Sequence, residues 1–288
     1  MIAIGSDTLS AVINPFGAEL TSLRDAEDRE YMTDADPAFW TGHAPLLFPI
    51  VGALNGGEYR VDGRAYALPK HGFARTSTFE LVAHQPAHAL FRLTDSAETR
   101  AAYPFAFVLE IGFSLEGAEL SMTATVRNPG DAALPFSFGF HPAFAWPLPG
   151  DAPKQAHVIV FERAEPQDIR RIDGAGLVAR SEPTPVEGHT LALRPELFTD
   201  DALIWDRLAS RALVYGAPGG KWLDIVFPDT PMLGVWQKPG ARYVCIEPWA
   251  GIADPVGYAG DFADKPGVML LEPGASRSFR MEVTVRGA

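Results

Sequence analysis

The chain has 288 residues, with 24 lysine or arginine against 36 aspartate or glutamate, for a formal net charge of −12. Hydrophobic residues make up 47% and charged residues 21%, a balance that excludes a mainly disordered chain. The acidic excess and the lack of a basic run exclude a general nucleic-acid binder, which needs lysine and arginine to neutralise phosphates. Cys245 is the single cysteine, so neither an intrachain disulfide nor a cysteine-rich metal cage can form, and a reducing compartment is expected. The opening MIAIGSDTLS has no basic stretch leading into an apolar one, and no apolar run reaches about 18 residues. Neither a secretory signal nor a membrane span is expected, and the cytoplasm is the expected location.

Glycine (27) and proline (25) are spread along the chain and punctuate many short elements. The first unusual segment is Leu68-Pro69-Lys70-His71-Gly72-Phe73-Ala74-Arg75. Read as extended, it puts His71, Phe73 and Arg75 on one side, and Gly72 admits a ligand or another backbone. A histidine and an arginine on one face offer a proton donor and a fixed cation; the same residues also suit a solvated turn. Next, Phe107, Leu109, Ile111, Phe113 and Leu115 alternate with small or polar residues. After Glu116-Gly117-Ala118 the alternation resumes at Leu120, Met122, Ala124 and Val126, which reads as an antiparallel hairpin.

From Pro135 to Phe144, the residues Phe136, Phe138 and Phe140 share one face, and Ser137, Gly139 and His141 the other. Small residues leave room over a sheet that something must occupy, with His141 at the rim. The competing reading is a core histidine bonded to a carbonyl. Residues 149–167 and 173–188 read as loops around a short strand, His157–Phe161. The best helical pattern lies between Pro195 and Arg211, with Asp200-Asp201 as its start. In Tyr243-Val244-Cys245-Ile246-Glu247-Pro248-Trp249, alternation puts Val244 and Ile246 on one face and Tyr243, Cys245, Glu247 and Trp249 on the other. A carboxylate in so apolar a strand is either paired or tuned for proton transfer. Trp249 suits stacking on the C–H face of a sugar, and equally a core. Finally, Phe279, Met281, Val283 and Val285 alternate in a strand expected to close a sheet. No linker or repeat interrupts the chain, so a single all-β domain over residues 1–288 is expected, a large antiparallel β-sandwich with long functional loops.

Other chemistries have weaker support. His43, His71, His141 and Glu247 lack the spacing of a zinc motif, so no metal is expected. There is no Gly-x-Ser-x-Gly elbow and no phosphate-binding glycine loop. Cys245 sits in an apolar run that disfavours a thiolate.

The segments Ala44–Gly52, Lys70–Arg75, Tyr103-Pro104-Phe105, Gly139–Phe144, Asp201–Trp205 and Cys245–Asp254 resemble, in order and spacing, the aldose 1-epimerase (galactose mutarotase-like) family, and most closely its LacX-like branch. The resemblance covers most of the chain. It implies a supersandwich of galactose mutarotase type that interconverts the anomers of a free aldose without a cofactor. It implies ionised Glu247 as base, protonated His141 as acid on the opposite side of the breaking bond, and His71 as a sugar-holding partner. Arg75 and Asp201 are implied as hydroxyl contacts, joined by Trp249 as a stacking surface. Relatives carry arginine directly after the glycine of FPIVG. Here that residue is Ala53, and His43, Lys70 and Arg75 are the cations available to replace it. The departure favours, as a competing reading, a non-catalytic sugar-binding or sensing protein. Related branches act on hexose 6-phosphates, so a hexose 6-phosphate epimerase with Arg75 meeting the phosphate is a further alternative, which the net charge of −12 weakly disfavours. A glycoside hydrolase is disfavoured, because it needs two opposed carboxylates. The expected partner is a small sugar, not nucleic acid or membrane; a monomer and a homodimer fit equally.

Overall fold

Strict alternation in the middle of the chain sets the geometry. In a computed structural model, which describes residues 1–287, Val108–Glu116 and Glu119–Arg127 pair antiparallel as the expected hairpin. Leu115 faces Leu120, Phe113 faces Met122 and Ile111 faces Ala124 across the pair, all buried. Such apolar cross-strand pairs on one face are what fix a strand register. The hairpin lies within a nine-stranded antiparallel sheet, whose order from one edge is Thr190–Ala192, Val158–Phe161, Ala212–Gly216, Trp222–Val226, Ser276–Arg286, Glu119–Arg127, Val108–Glu116, His88–Thr94 and Glu80–Gln85. The last strand completes this sheet from its interior. Ser276–Arg286 sits between Trp222–Val226 and Glu119–Arg127 and joins the two halves of the sheet. Over Glu282, Val283 and Thr284 it pairs on both sides at once.

The second large sheet runs Val178–Glu182, Ile169–Ile172, Leu203–Trp205, Met232–Trp236, Tyr243–Ala250, Phe138–Phe140 and Leu46–Leu47, with Ala143–Ala145 also paired to Tyr243–Ala250. The two sheets pack face to face through aromatic contacts. Phe138 stacks on Phe279 at 5.1 Å between ring centroids, and Phe161 meets Trp205 at 5.6 Å. Phe136, Phe138 and Phe140 all enter this core, as their alternation implies. Every residue of Tyr243–Ala250 is buried, because both faces of that strand are covered. Val244 and Ile246 join the main core, while Tyr243 and Cys245 pack with Ala143 and Ala241 on the other side.

Two stretches differ from expectation. The region read as a loop at 173–188 contains the edge strand Val178–Glu182. Its Arg180 and Glu182 blunt an edge against unwanted pairing, which also masks its strand character in the sequence. The region read as helical, Pro195–Arg211, holds only a 3-10 turn, Pro195–Phe198, before the strand Leu203–Trp205. Leu203, Ile204 and Trp205 are consecutively buried, a pattern that a sheet covered on both faces accepts. Among the described residues, no helix is long and apolar enough to cross a membrane.

Phe279 is fully buried at the sheet-to-sheet contact. Phe279→Ala is expected to cost about 3–5 kcal/mol of unfolding free energy in urea denaturation. A loss below about 1 kcal/mol would contradict this packing.

Candidate active site

The segment Lys70–Arg75 is a turn and not the extended run read from its alternation. His71 and Gly72 both adopt left-handed backbone, with φ of 69° and 74°. A Cβ on Gly72 would lie 2.2 Å from the Phe48 carbonyl oxygen, so the close approach is by another backbone. The Phe73 and Ala74 amides both donate to that oxygen, at 3.0 and 3.2 Å. Phe73 then packs among Phe48, Tyr103 and Phe107, while His71 and Arg75 turn to a cavity. His71 exchanges two bonds with Gly52: its amide donates to the Gly52 carbonyl at 2.9 Å, and the Gly52 amide donates to His71 Nδ1 at 3.1 Å. Accepting at Nδ1 leaves the proton of the neutral ring on Nε2. Burial, then His141, Lys70 and Arg75, hold its pKa well below the usual histidine range. His71 is therefore a neutral N–H donor.

Strand pairing brings His141 to Glu247. Gly139 is opposite Trp249 and Ala143 is opposite Cys245, so the register between them sets His141 across from Glu247. His141 Nε2 lies 3.1 Å from Glu247 Oε2, and both residues are buried. The imidazole is walled by Trp40 at 5.2 Å, His71 at 5.8 Å and Trp236 at 6.2 Å between ring centroids. Burial pushes Glu247 well above the ordinary carboxylate range, with Lys70 and Arg75 pulling it back and Asp201 pushing it further up. Burial, then Arg75, pushes His141 far below its ordinary 6.5. Each charge is costly alone, so the resting pair holds one proton between the two atoms. The expectation of an ionised Glu247 and a charged His141 concerns the pair with sugar bound.

Trp249 explains the small-residue face. A Cβ on Gly139 would stand 2.6 Å from Trp249 Cδ1, and one on Gly234 would stand 2.6 Å from Cζ2 and Cη2. The room over Gly139 is filled by the chain's own indole, which spans the flanking strands. Only 5% of Trp249 remains exposed, where it lines the cavity.

The cavity measures about 250 Å³, and His71, Arg75, His141, Asp201, Glu247 and Trp249 all line it. Trp40, Trp236 and Ile172 complete its apolar walls and were not singled out from the sequence. Of the three cations considered, Lys70 and Arg75 border the cavity and His43 does not. Lys70 Nζ and the Ala53 methyl flank one point, 3.7 and 3.3 Å from where a Cβ on Gly176 would lie. Asp201 does not start a helix. It holds a left-handed φ of 65°, and its Oδ1 accepts from the Ala202 amide at 2.8 Å. His141, Cys245 and Glu247 bring three donor atoms within 4.8 Å of one another. They do not fit a resident metal ion. Burial holds the Cys245 thiol protonated, and His141 Nδ1 has no hydrogen-bond partner of the kind that orients a metal-binding histidine.

The arrangement suits a polyhydroxylated ring. It offers a neutral N–H donor, a guanidinium, a carboxylate and indoles around a pair that can exchange one proton in each direction. Gly234→Ala would drive a methyl into the wedged Trp249 ring. A loss of about 1–3 kcal/mol is expected in thermal or urea unfolding, with a changed near-ultraviolet circular dichroism signal. Parent stability and an unchanged signal would contradict the wedge.

The chain matches the aldose 1-epimerase family over residues 1–284. It is 29% identical over 295 residues to the chromosomal protein LacX of Lactococcus lactis subsp. lactis, covering 99% of each chain. A galactose mutarotase related enzyme from Lactobacillus acidophilus superposes with a TM-score of 0.93 at 32% identity, covering 99% of this chain and 97% of that one. A galactose mutarotase-like protein from Lactobacillus casei gives 0.92 at 29% identity, covering 99% of this chain and 100% of that one. With its two facing antiparallel sheets and the cavity between His71, His141 and Glu247, this chain belongs to the aldose 1-epimerase family.

Proposed function

We propose that the protein is an aldose 1-epimerase that interconverts the α and β anomers of a free hexose. The observation that carries this reading is the buried His141–Glu247 pair, 3.1 Å apart at the cavity. Mutarotation needs an acid and a base for two oxygens, O1 and O5, that are bonded to the same carbon. A proton donor and acceptor in direct contact match that spacing. They do not match a retaining glycosidase, whose carboxyl groups stand roughly 5–5.5 Å apart.

In the proposed reaction, the C1 hydroxyl donates to Glu247 and the ring oxygen accepts from His141. Both contacts favour the form with the proton on nitrogen and the charge on the carboxylate. Glu247 then takes the O1 proton, the C1–O5 bond breaks, and His141 protonates O5. The product is an open-chain aldehyde. Rotation about C1–C2 presents the other carbonyl face, and the reverse transfers close the ring as the other anomer. No electron or group leaves the sugar. His71, Arg75 and Asp201 hold the hydroxyls, and the indoles of Trp40, Trp236 and Trp249 face its apolar C–H surface.

A second reading changes the substrate and not the chemistry. Lys70 and Arg75 border the cavity with no carboxylate within ion-pair distance among the described residues, and they act on Glu247 only from further away. Two such cations favour an aldose that carries an anionic group, such as a hexose 6-phosphate.

Polarimetry of freshly dissolved α-D-glucose, α-D-galactose and hexose 6-phosphates tests the proposal. Faster decay to the equilibrium rotation is expected for at least one of them, and none for any would overturn it. Glu247→Gln is expected to lower kcat by about 10²-fold or more with the fold intact. Activity retained within about threefold would remove Glu247 as the base.

The pH profile follows from the shared proton. A second proton would charge His141 beside a protonated Glu247, which burial and Arg75 oppose. The acid limb of kcat/KM is therefore expected well below the ordinary histidine value of 6.5. Losing the shared proton leaves Glu247 a lone buried anion, so the alkaline limb is expected well above 4.5. An acid limb centred at 6.5 would contradict the pairing.

A further inference from the structure

Asp201 reaches the cavity on a short loop in a left-handed backbone. Its φ of 65° is one that aspartate holds more readily than most residues with a side chain, and its own Oδ1 accepts from the next amide, but it leaves several nearby carbonyls to be satisfied from outside the loop. The turn Pro195–Phe198 precedes it and the strand Leu203–Trp205 follows it. Between them, carbonyl oxygens converge on one side chain. Arg171 Nη1 donates to Leu197, Asp201 and Ala202 oxygens at 3.2 Å each and to the Asp200 oxygen at 3.5 Å. Its Nη2 adds Leu197 at 3.3 Å, and its Nε donates to Glu182 Oε2 at 2.9 Å.

Arg171 is only 8% exposed, on the strand Ile169–Ile172, whose next residue, Ile172, lines the cavity. Glu182 also accepts from Arg180 Nε at 2.8 Å, and Arg180 Nη2 reaches Asp200 Oδ2 at 2.9 Å. The loop is thus held from within by one guanidinium and from without by a second, with Glu182 between them. A planar fork of five donors can serve several carbonyls at once, whereas an ammonium on a flexible stem cannot hold the same geometry.

We propose that Arg171 is the positioning residue of the sugar site: through the carbonyls of residues 197–202 it sets where the Asp201 carboxylate stands. The inference rests on the reading above that Asp201 contacts a sugar hydroxyl. Arg171 touches no reacting atom, so its main effect is on affinity, and only the distant charge of Asp201 carries a small effect to the proton transfers.

Arg171→Lys, Asp201→Asn and the double variant test this, with KM and kcat measured separately for mutarotation of α-D-glucose and α-D-galactose. Amide hydrogen exchange over residues 197–203 is measured in the same proteins. Arg171→Lys is expected to raise KM about tenfold with kcat within about twofold, and the double variant to be no worse than Asp201→Asn. Exchange in the loop is expected to speed up while the strand Tyr243–Ala250 keeps its protection. Unchanged loop exchange would overturn the proposal whether or not the protein turns over either sugar. Effects on KM that multiply in the double variant would overturn it as well. Loss of all activity in the parent would instead count against the proposed function, which is read from that arm alone. If Arg171→Lys does not fold, Glu182→Ala removes the partner of Arg171 Nε, and the same KM rise without additivity to Asp201→Asn is expected.

Discussion

A carboxylate and an imidazole sharing one proton out of water is the interaction on which the site depends. Glu247 and His141 are 2% and 7% exposed, and among the described residues no lysine or arginine pairs directly with the carboxylate. Burial raises one pKa and lowers the other, so each group in isolation would be neutral. Contact at 3.1 Å makes them a unit that can shift its proton without gaining net charge. Lys70, Arg75 and Asp201 then bias where the proton rests from further away. The pair needs neither a metal nor a second carboxylate to present an acid beside a base.

The fold's contribution is register. His141 faces Glu247 because the strands on either side of it pair with Tyr243–Ala250 in one continuous alignment. A one-residue slip would send either group to the opposite face. The same strand places Trp249 across Gly139 and Gly234, which fixes the cavity wall beside the pair. His71 arrives on a separate turn that Phe48 and Gly52 hold by backbone bonds. The sheet supplies His141, Glu247 and Trp249, the turn His71 and Arg75, and the loop Asp201, and the loop is the least regular of the three. Arg171 bonds the carbonyls around Asp201, whereas strand pairing places His141 and Glu247.

Much of this was legible in the sequence, for physical reasons that can be named. Strict alternation gave away the hairpin from Val108 to Arg127 and the two faces of Tyr243–Trp249. A lone glutamate in an apolar strand pointed to itself, because a buried charge demands a partner. The misreadings share a cause, which is that the deciding contact lies far away along the chain. Pro195–Arg211 has a helical pattern, but Arg171 claims its carbonyls and sheet pairing takes Leu203–Trp205. The small face at Gly139 looked open to a ligand, yet it is covered by Trp249, more than a hundred residues away. Trp40, Trp236 and Ile172 carried no local signal, since an aromatic or aliphatic residue beside a cavity reads like any core residue.

The most direct test of the shared proton is nitrogen-15 NMR of the histidine rings in the ligand-free protein, with His141 assigned by substitution. As pH is lowered through 6.5, the His141 ring nitrogens are predicted to hold their shifts, because burial beside Glu247 keeps a second proton away until far lower pH. A His141 titration centred near 6.5, like that of an exposed imidazole, would contradict the account.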